Sequence, residues 1–300
     1  MIKLLERSTQ LYDLRQFPRK QSLLWDVLCS SFKKPSSSSV ALHLGAKIHG
    51  VRFQSDWLKA YQQVCGFEPS NQIPLTAPQV VAVPLHLFLF SRKAHPFSML
   101  GMVHTANQFQ LHQPLQLNQD YTVVVLIGET RTVTKGCEWD VHTEWYDAQN
   151  TLVWGSTMTV FSRIPGMTAA LPSAPVEKIG STLNTRVAGY LGLQVSPHQG
   201  YCYAQVSGDF NPIHLHHLTA KMFGFNAPIA HGMWTAAACL GKLEQTTQQH
   251  ACSLEVVFKK PVVLSSQAVV KYETMQSHAQ FELMSLQESR ILVSGACTFL

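Results

Sequence analysis

The residues of this chain that could do chemistry crowd into one stretch, Tyr203 to Met233. Asp209 and His214 stand five positions apart within it. Ser207-Gly208-Asp209 has the composition of a turn, and Pro212 pushes Asn211 toward extended geometry. The pair therefore rides an irregular, proline-fixed stretch rather than one regular helix face. A carboxylate and an imidazole aimed into one pocket are the minimum equipment for acid–base work near neutral pH. Pro228-Ile229-Ala230-His231-Gly232 then leads into an apolar helix candidate. A helix start offers free N–H groups and the positive end of the dipole. Gly232 lets a ligand approach that backbone, so its N–H is a candidate oxyanion donor for a carbonyl that gains charge.

Each of these residues also has a plainer reading. His216 and His217 read as surface residues, and His214 could belong with them. Asp209 could simply cap a turn, and Gly232 could be a packing glycine where helix crosses sheet. A metal site built from Asp209, His214 and His216 lacks an established ligand spacing, so no metal is expected. Cys239 sits among alanines and reads as core. What favours chemistry is co-occurrence, since Asp209, His214 and the start of a helix at Gly232 fall within 24 residues.

The elements that must position this stretch can be read around it. Residues 1–39 form an N-terminal appendage, with a short amphipathic helix over Leu23 to Phe32 ended by Pro35 and a serine run. Ser55 is placed to cap a helix through Cys65, with Gly66 as its stop. Pro78 to Phe90 reads as one buried helix. Four β-rich segments follow, Met102 to Leu111, Tyr121 to Val133, Cys137 to Tyr146 and Leu152 to Phe161. A Pro- and Ala-rich linker covers residues 164–177. The pattern then returns over 178–300: a helix over Pro228 to Leu243, then strands over Cys252 to Phe258, Gln267 to Thr274, Gln280 to Ser285 and Ile291 to Phe299. Two local matches support duplication. Phe109 precedes Pro114-Leu115 as Phe258 precedes Pro261-Val262, each pair opening a long strand. Leu152-Val153-Trp154-Gly155 answers Leu292-Val293-Ser294-Gly295. One long helix followed by antiparallel strands, given twice, describes an α+β fold with two copies of a helix wrapped by a curved sheet.

Composition bounds what such a fold could serve. The 300 residues are 46% hydrophobic and 14% charged, which is globular and not disordered. Lys and Arg total 23 against 18 Asp and Glu, a formal +5 with 14 His counted neutral. The basic residues come singly or in pairs, so a nucleic-acid groove has no support. Seven scattered Cys without a CxxC pair fit reduced, mostly buried thiols. Lys3, Glu6 and Arg7 argue against a secretory leader, and no apolar run has the length of a membrane span. A cytoplasmic protein without stable membrane insertion is the expectation.

The stretch from Tyr203 to Met233 resembles the MaoC-like (R)-specific enoyl-thioester hydratases and 3-hydroxyacyl-thioester dehydratases. Their pattern is YAxxSGDxNPIH, a following Ala-x-x-x-Gly, and an IAHGM closing element. This chain supplies Tyr203-Ala204, Ser207-Gly208-Asp209, Asn211-Pro212-Ile213-His214, Ala220, Gly224, and Ile229 to Met233. The resemblance implies a double hotdog, a pseudo-dimer whose C-terminal half (178–300) is catalytic and whose N-terminal half (40–163) is degenerate. That half has Asp56 and Tyr61 near the corresponding place, but no Asn-Pro and no His follow.

The implied reaction is reversible dehydration of (R)-3-hydroxyacyl thioesters to trans-2-enoyl thioesters. Asp209 and His214 are the implied catalytic pair and Gly232 the oxyanion donor. Ser207, Asn211 and His231 are expected to position the pair or the substrate. No cofactor is implied; the partner is an acyl-CoA or acyl-carrier-protein thioester, and a homodimer is compatible. Two rivals stand beside this reading. A hotdog acyl-CoA thioesterase would release free thiol, and a non-catalytic acyl-thioester scaffold would bind without turnover.

Overall fold

The computed structural model describes residues 10–18, 43–98, 102–133, 136–164 and 188–300. The expected helix over Leu23 to Phe32 and nearly all of the Pro- and Ala-rich linker lie outside these residues. Chain contacts divide the molecule into two compact units. The first holds described residues from 10–52, 81–106 and 112–164. The second holds 53–80, 107–111 and described residues from 188–300, so the units interleave along the chain.

In the first unit, β1 (Gln10–Leu14) runs parallel to β2 (Leu44–Val51). Asp13 joins Lys47 across that pair at 3.0 Å, which anchors the start of the stretch read as an appendage. β2 pairs with β4 (Tyr121–Val133), β4 with β5 (Gly136–Tyr146), and β5 with β6 (Leu152–Arg163), all antiparallel. The first half of β3 (Met102–Leu111) follows β6 in the order. β5 shows why these residues make strands: Trp139, Val141, Thr143 and Trp145 alternate inward and are fully buried. β4 is covered on both faces, with Val123 to Ile127 at 0–1% exposure.

The single helix expected over Pro78 to Phe90 is two pieces, α2 (Ala77–Val81) and α3 (Val83–Ser91). Pro84 has no N–H to give the carbonyl of Val80, so the ladder breaks at Ala82 and restarts with proline in the new first turn. α3 is apolar all round, and Leu85, His86, Leu89 and Phe90 are buried.

The second unit repeats this order. Its helix α6 (Gly232–Thr247) is followed by β8 (Ala251–Phe258), β9 (Gln267–Met275), β10 (His278–Ser285) and β11 (Ile291–Phe299). β7 (Gly189–Gln194) pairs with β9, so β7-β9-β10-β11-β8 answers β2-β4-β5-β6-β3. The proline segments at Pro114 and Pro261 lie in the connections before β4 and β9 and do not open those strands. Gly155 and Gly295, matched in sequence, fall in the equivalent strands β6 and β11.

Helix α1 (Ser55–Cys65) also belongs to the second unit. Its N-cap is Gln54, without a side-chain bond, and not Ser55; Gly66 ends it in the left-handed region at φ 75°. α4 (Gln199–Ser207) packs against it, with Trp57 Nε1 donating to the carbonyl of Val206 at 2.9 Å. Trp234 Nε1, from α6, donates to the carbonyl of Val64 at 2.9 Å.

Gly295, on β11 in the second unit, has no room for a side chain. A Cβ there would stand 2.6 Å from the carbonyl oxygen of Glu255 and 2.6 Å from the Phe281 ring. Gly295→Ala is therefore expected to overpack β11 and lower stability by about 1–3 kcal/mol, read from the urea midpoint.

Candidate active site

The chemistry-bearing stretch starts on α4 and is tied down by three successive local bonds. Ser207 Oγ accepts from the N–H of Asp209 at 3.2 Å, and Asp209 Oδ1 from the N–H of Asn211 at 3.1 Å. Asn211 Oδ1 then accepts from the N–H of Ile213 at 3.3 Å and caps a single 3₁₀ turn, Pro212–His214. Each bond reaches two residues ahead, the habit of Ser, Asp and Asn side chains in turns. Gly208 allows the sequence by taking a left-handed conformation at φ 74° after α4. The plain reading of Asp209 as a turn residue thus accounts for one oxygen, Oδ1. The other, Oδ2, stands 3.9 Å from His231 Nε2, and the side chain is 40% exposed.

The turn delivers His214 to the interior at 7% exposure, while His216 and His217 stay outside. His216 lies apart from the acid–base cluster: it caps the short helix α5 (His217–Met222), its Nδ1 accepting from the N–H of Leu218 at 3.2 Å. His214 Nδ1 is 2.8 Å from the carbonyl of Ile229. Only a protonated Nδ1 can donate to that oxygen, so the lone pair of the neutral ring lies on Nε2.

The structure brings His231 directly against His214. Its ring stacks on that of His214, with centroids 3.7 Å apart and planes at 28°. Its Nε2 donates to the main-chain carbonyl of Asp209 at 2.9 Å, and its Nδ1 is buried with no hydrogen-bond partner. His231 is also the N-cap of α6, and Gly232 is that helix's first residue. The placement puts a free helix N-terminus directly after the second imidazole. A Cβ on Gly232 would meet the Phe258 ring at 3.4 Å, an ordinary contact distance, so packing alone does not demand a glycine here. One nitrogen from each imidazole and one Asp209 oxygen all lie within 4.8 Å of one another. Such a spacing suits proton sharing and could also hold a cation.

Burial sets the charge of the two imidazoles. Desolvation pushes His214 below its usual value, against the opposing pull of Asp209 and the bond to Ile229. Desolvation and the neighbouring His214 push His231 down to about 4. Near pH 7 both rings are neutral, so each retains one basic nitrogen. Cys239 is fully buried on α6, as expected of a core thiol. Cys65, Cys137 and Cys297 are likewise buried and free.

Comparisons with known proteins bear on the family and the fold. Residues 178–294 match the MaoC like domain family. The chain is 32% identical over 209 residues to 3-hydroxyacyl-thioester dehydratase X of Mycobacterium tuberculosis, covering 70% of this chain and 72% of that protein. The crystal structure of HtdX from the same organism superposes with a TM-score of 0.72 at 26% identity, over 85% of this chain and all of that one. A second M. tuberculosis protein, described as a double hotdog, superposes at 0.58 with 10% identity over 84% of this chain and 93% of that one. The fold here is thus the double hotdog.

The two neutral imidazoles tie stability to pH. An unfolded histidine protonates near 6.5 and native His231 near 4, so below about pH 6.5 the unfolded state binds more protons. Stability should therefore fall from about pH 6.5 to 4. His231→Gln, which keeps a donor but cannot titrate, should flatten that slope in urea unfolding curves measured across the same range.

Proposed function

The chain belongs to the MaoC-like dehydratase family, and we propose that it reversibly dehydrates (R)-3-hydroxyacyl thioesters to trans-2-enoyl thioesters. The observation that carries this reading is the meeting of Asp209 and His214 beside the N-terminus of α6. In the dehydrating direction a base takes the α-proton and an acid protonates the departing 3-hydroxyl, which leaves as water. Asp209 and His214 share these two transfers on one face of the substrate. The N–H of Gly232 faces the thioester oxygen, where enolate-like charge develops as the α-proton leaves. Ser207 and Asn211 hold the turn, and His231 fixes the plane of His214.

The thioester handle in this reading is CoA or an acyl carrier protein, both of which bring negative charge toward a chain with a formal +5. The working half is residues 178–300 and the degenerate half 40–163. The setting is cytoplasmic, and a homodimer is compatible. Among the described residues no helix is long and apolar enough to cross a membrane.

The test is the change in enoyl absorbance with crotonyl-CoA and longer enoyl-CoA substrates. Asp209→Asn keeps an oxygen for the bond from Asn211, and His214→Gln keeps a polar side chain near the carbonyl of Ile229. Each should remain folded and lose about a hundredfold or more in kcat. Full activity in both variants would remove the pair from the mechanism.

A further inference from the structure

We infer that Gly200 and Tyr203, on one face of α4, are positioning residues that set where the two imidazoles stand. Gly200 acts through the main chain of His214, and Tyr203 through the ring of His231. The inference builds on the reading of His214 as part of the acid–base pair.

Gly200 is buried, and its φ is not positive, so backbone conformation does not demand a glycine there. Space does. A Cβ at this position would stand 1.8 Å from the carbonyl oxygen of His214, 2.9 Å from its carbonyl carbon and 3.4 Å from its Cβ. Any other side chain must push the His214 backbone away from α4. That motion would pull His214 Nδ1 from the carbonyl of Ile229, a bond now 2.8 Å long. The close seat of His214 against α4 is what requires a glycine here.

Tyr203 is one turn further on the same face. Its ring centroid lies 5.0 Å from that of His231, and the residue is 1% exposed. Its hydroxyl makes no hydrogen bond to the described residues, and its contact with His231 is made by the ring. Ser207 completes the face with its bond to the N–H of Asp209. Gly200, Tyr203 and Ser207, spaced by three and four residues, thus touch His214, His231 and Asp209 in turn.

Gly200→Ala tests the inference, with Gly192→Ala as control, because nothing lies within 4 Å of a Cβ at Gly192. The expected result is a tenfold to hundredfold fall in kcat with KM little changed, and shifted imidazole NMR resonances for His214. The control should match the parent protein in both. Should Gly200→Ala fail to fold, Tyr203 decides. Tyr203→Phe should keep activity within about twofold, while Tyr203→Leu should lose at least tenfold and shift the pH profile of kcat. Folded Gly200→Ala with parental kcat and resonances, or a Tyr203→Leu variant with parental kcat and pH profile, would overturn the inference. A parent protein inactive on every thioester would overturn the functional reading instead, and the imidazole resonances would still decide this one.

Discussion

Two buried imidazoles stacked 3.7 Å apart cannot both carry charge, and much of the second unit follows from keeping them neutral and still. Neutral rings need one donor and one acceptor nitrogen each, so each ring must be told which nitrogen holds its proton. The carbonyls of Ile229 and Asp209 do this. Placing those carbonyls is in turn the task of the backbone around them. Ile229 forms a bridge with Val263, and the N–H of Ala230 donates to the carbonyl of Val262 at 2.7 Å. Asp209 is held by the bonds running from Ser207 to Ile213.

The same residue type elsewhere shows what these partners decide. In the first unit, His86 is buried too, and burial pushes it down to about 3. Its Nε2 is spent on Thr143 Oγ1 at 2.9 Å, inside a core of Trp139, Leu85 and Leu89. It is a satisfied core histidine. His214 differs because its bonded nitrogen faces the backbone while a carboxylate lies within reach of the ring.

Much of the fold was legible because its strands carry a strong period. Trp139 to Trp145 alternates inward and outward over a run long enough to read, and Ile291 to Phe299 was placed without error. The short elements were not legible. β1 has only five residues, and Gly189 and Gly192 dilute the strand pattern of β7. α4 hides because Tyr201 and Cys202 are exposed on a nine-residue helix with little apolar contrast. Within the candidate site, Asp209 and His214 stood out by residue type and Gly232 by its place at the start of a helix. The stacking of His231 on His214 was not, since the two lie 17 positions apart and meet only through tertiary packing. Gly200 gave no signal at all, because a glycine chosen for space looks like any other until the neighbouring backbone is seen.

The groups that orient both imidazoles are main-chain carbonyls, and this bears on how the protein can drift. A carbonyl is present whatever side chain its residue carries, so no substitution at Ile229 deletes the acceptor for His214. Only changes that move the backbone can reach it. The vulnerable positions for ring orientation are thus backbone-shaping residues such as Gly200, Gly208 and Pro212, not the residues that supply the acceptor. Sequence around the site is free to vary in chemistry while it remains strict in shape.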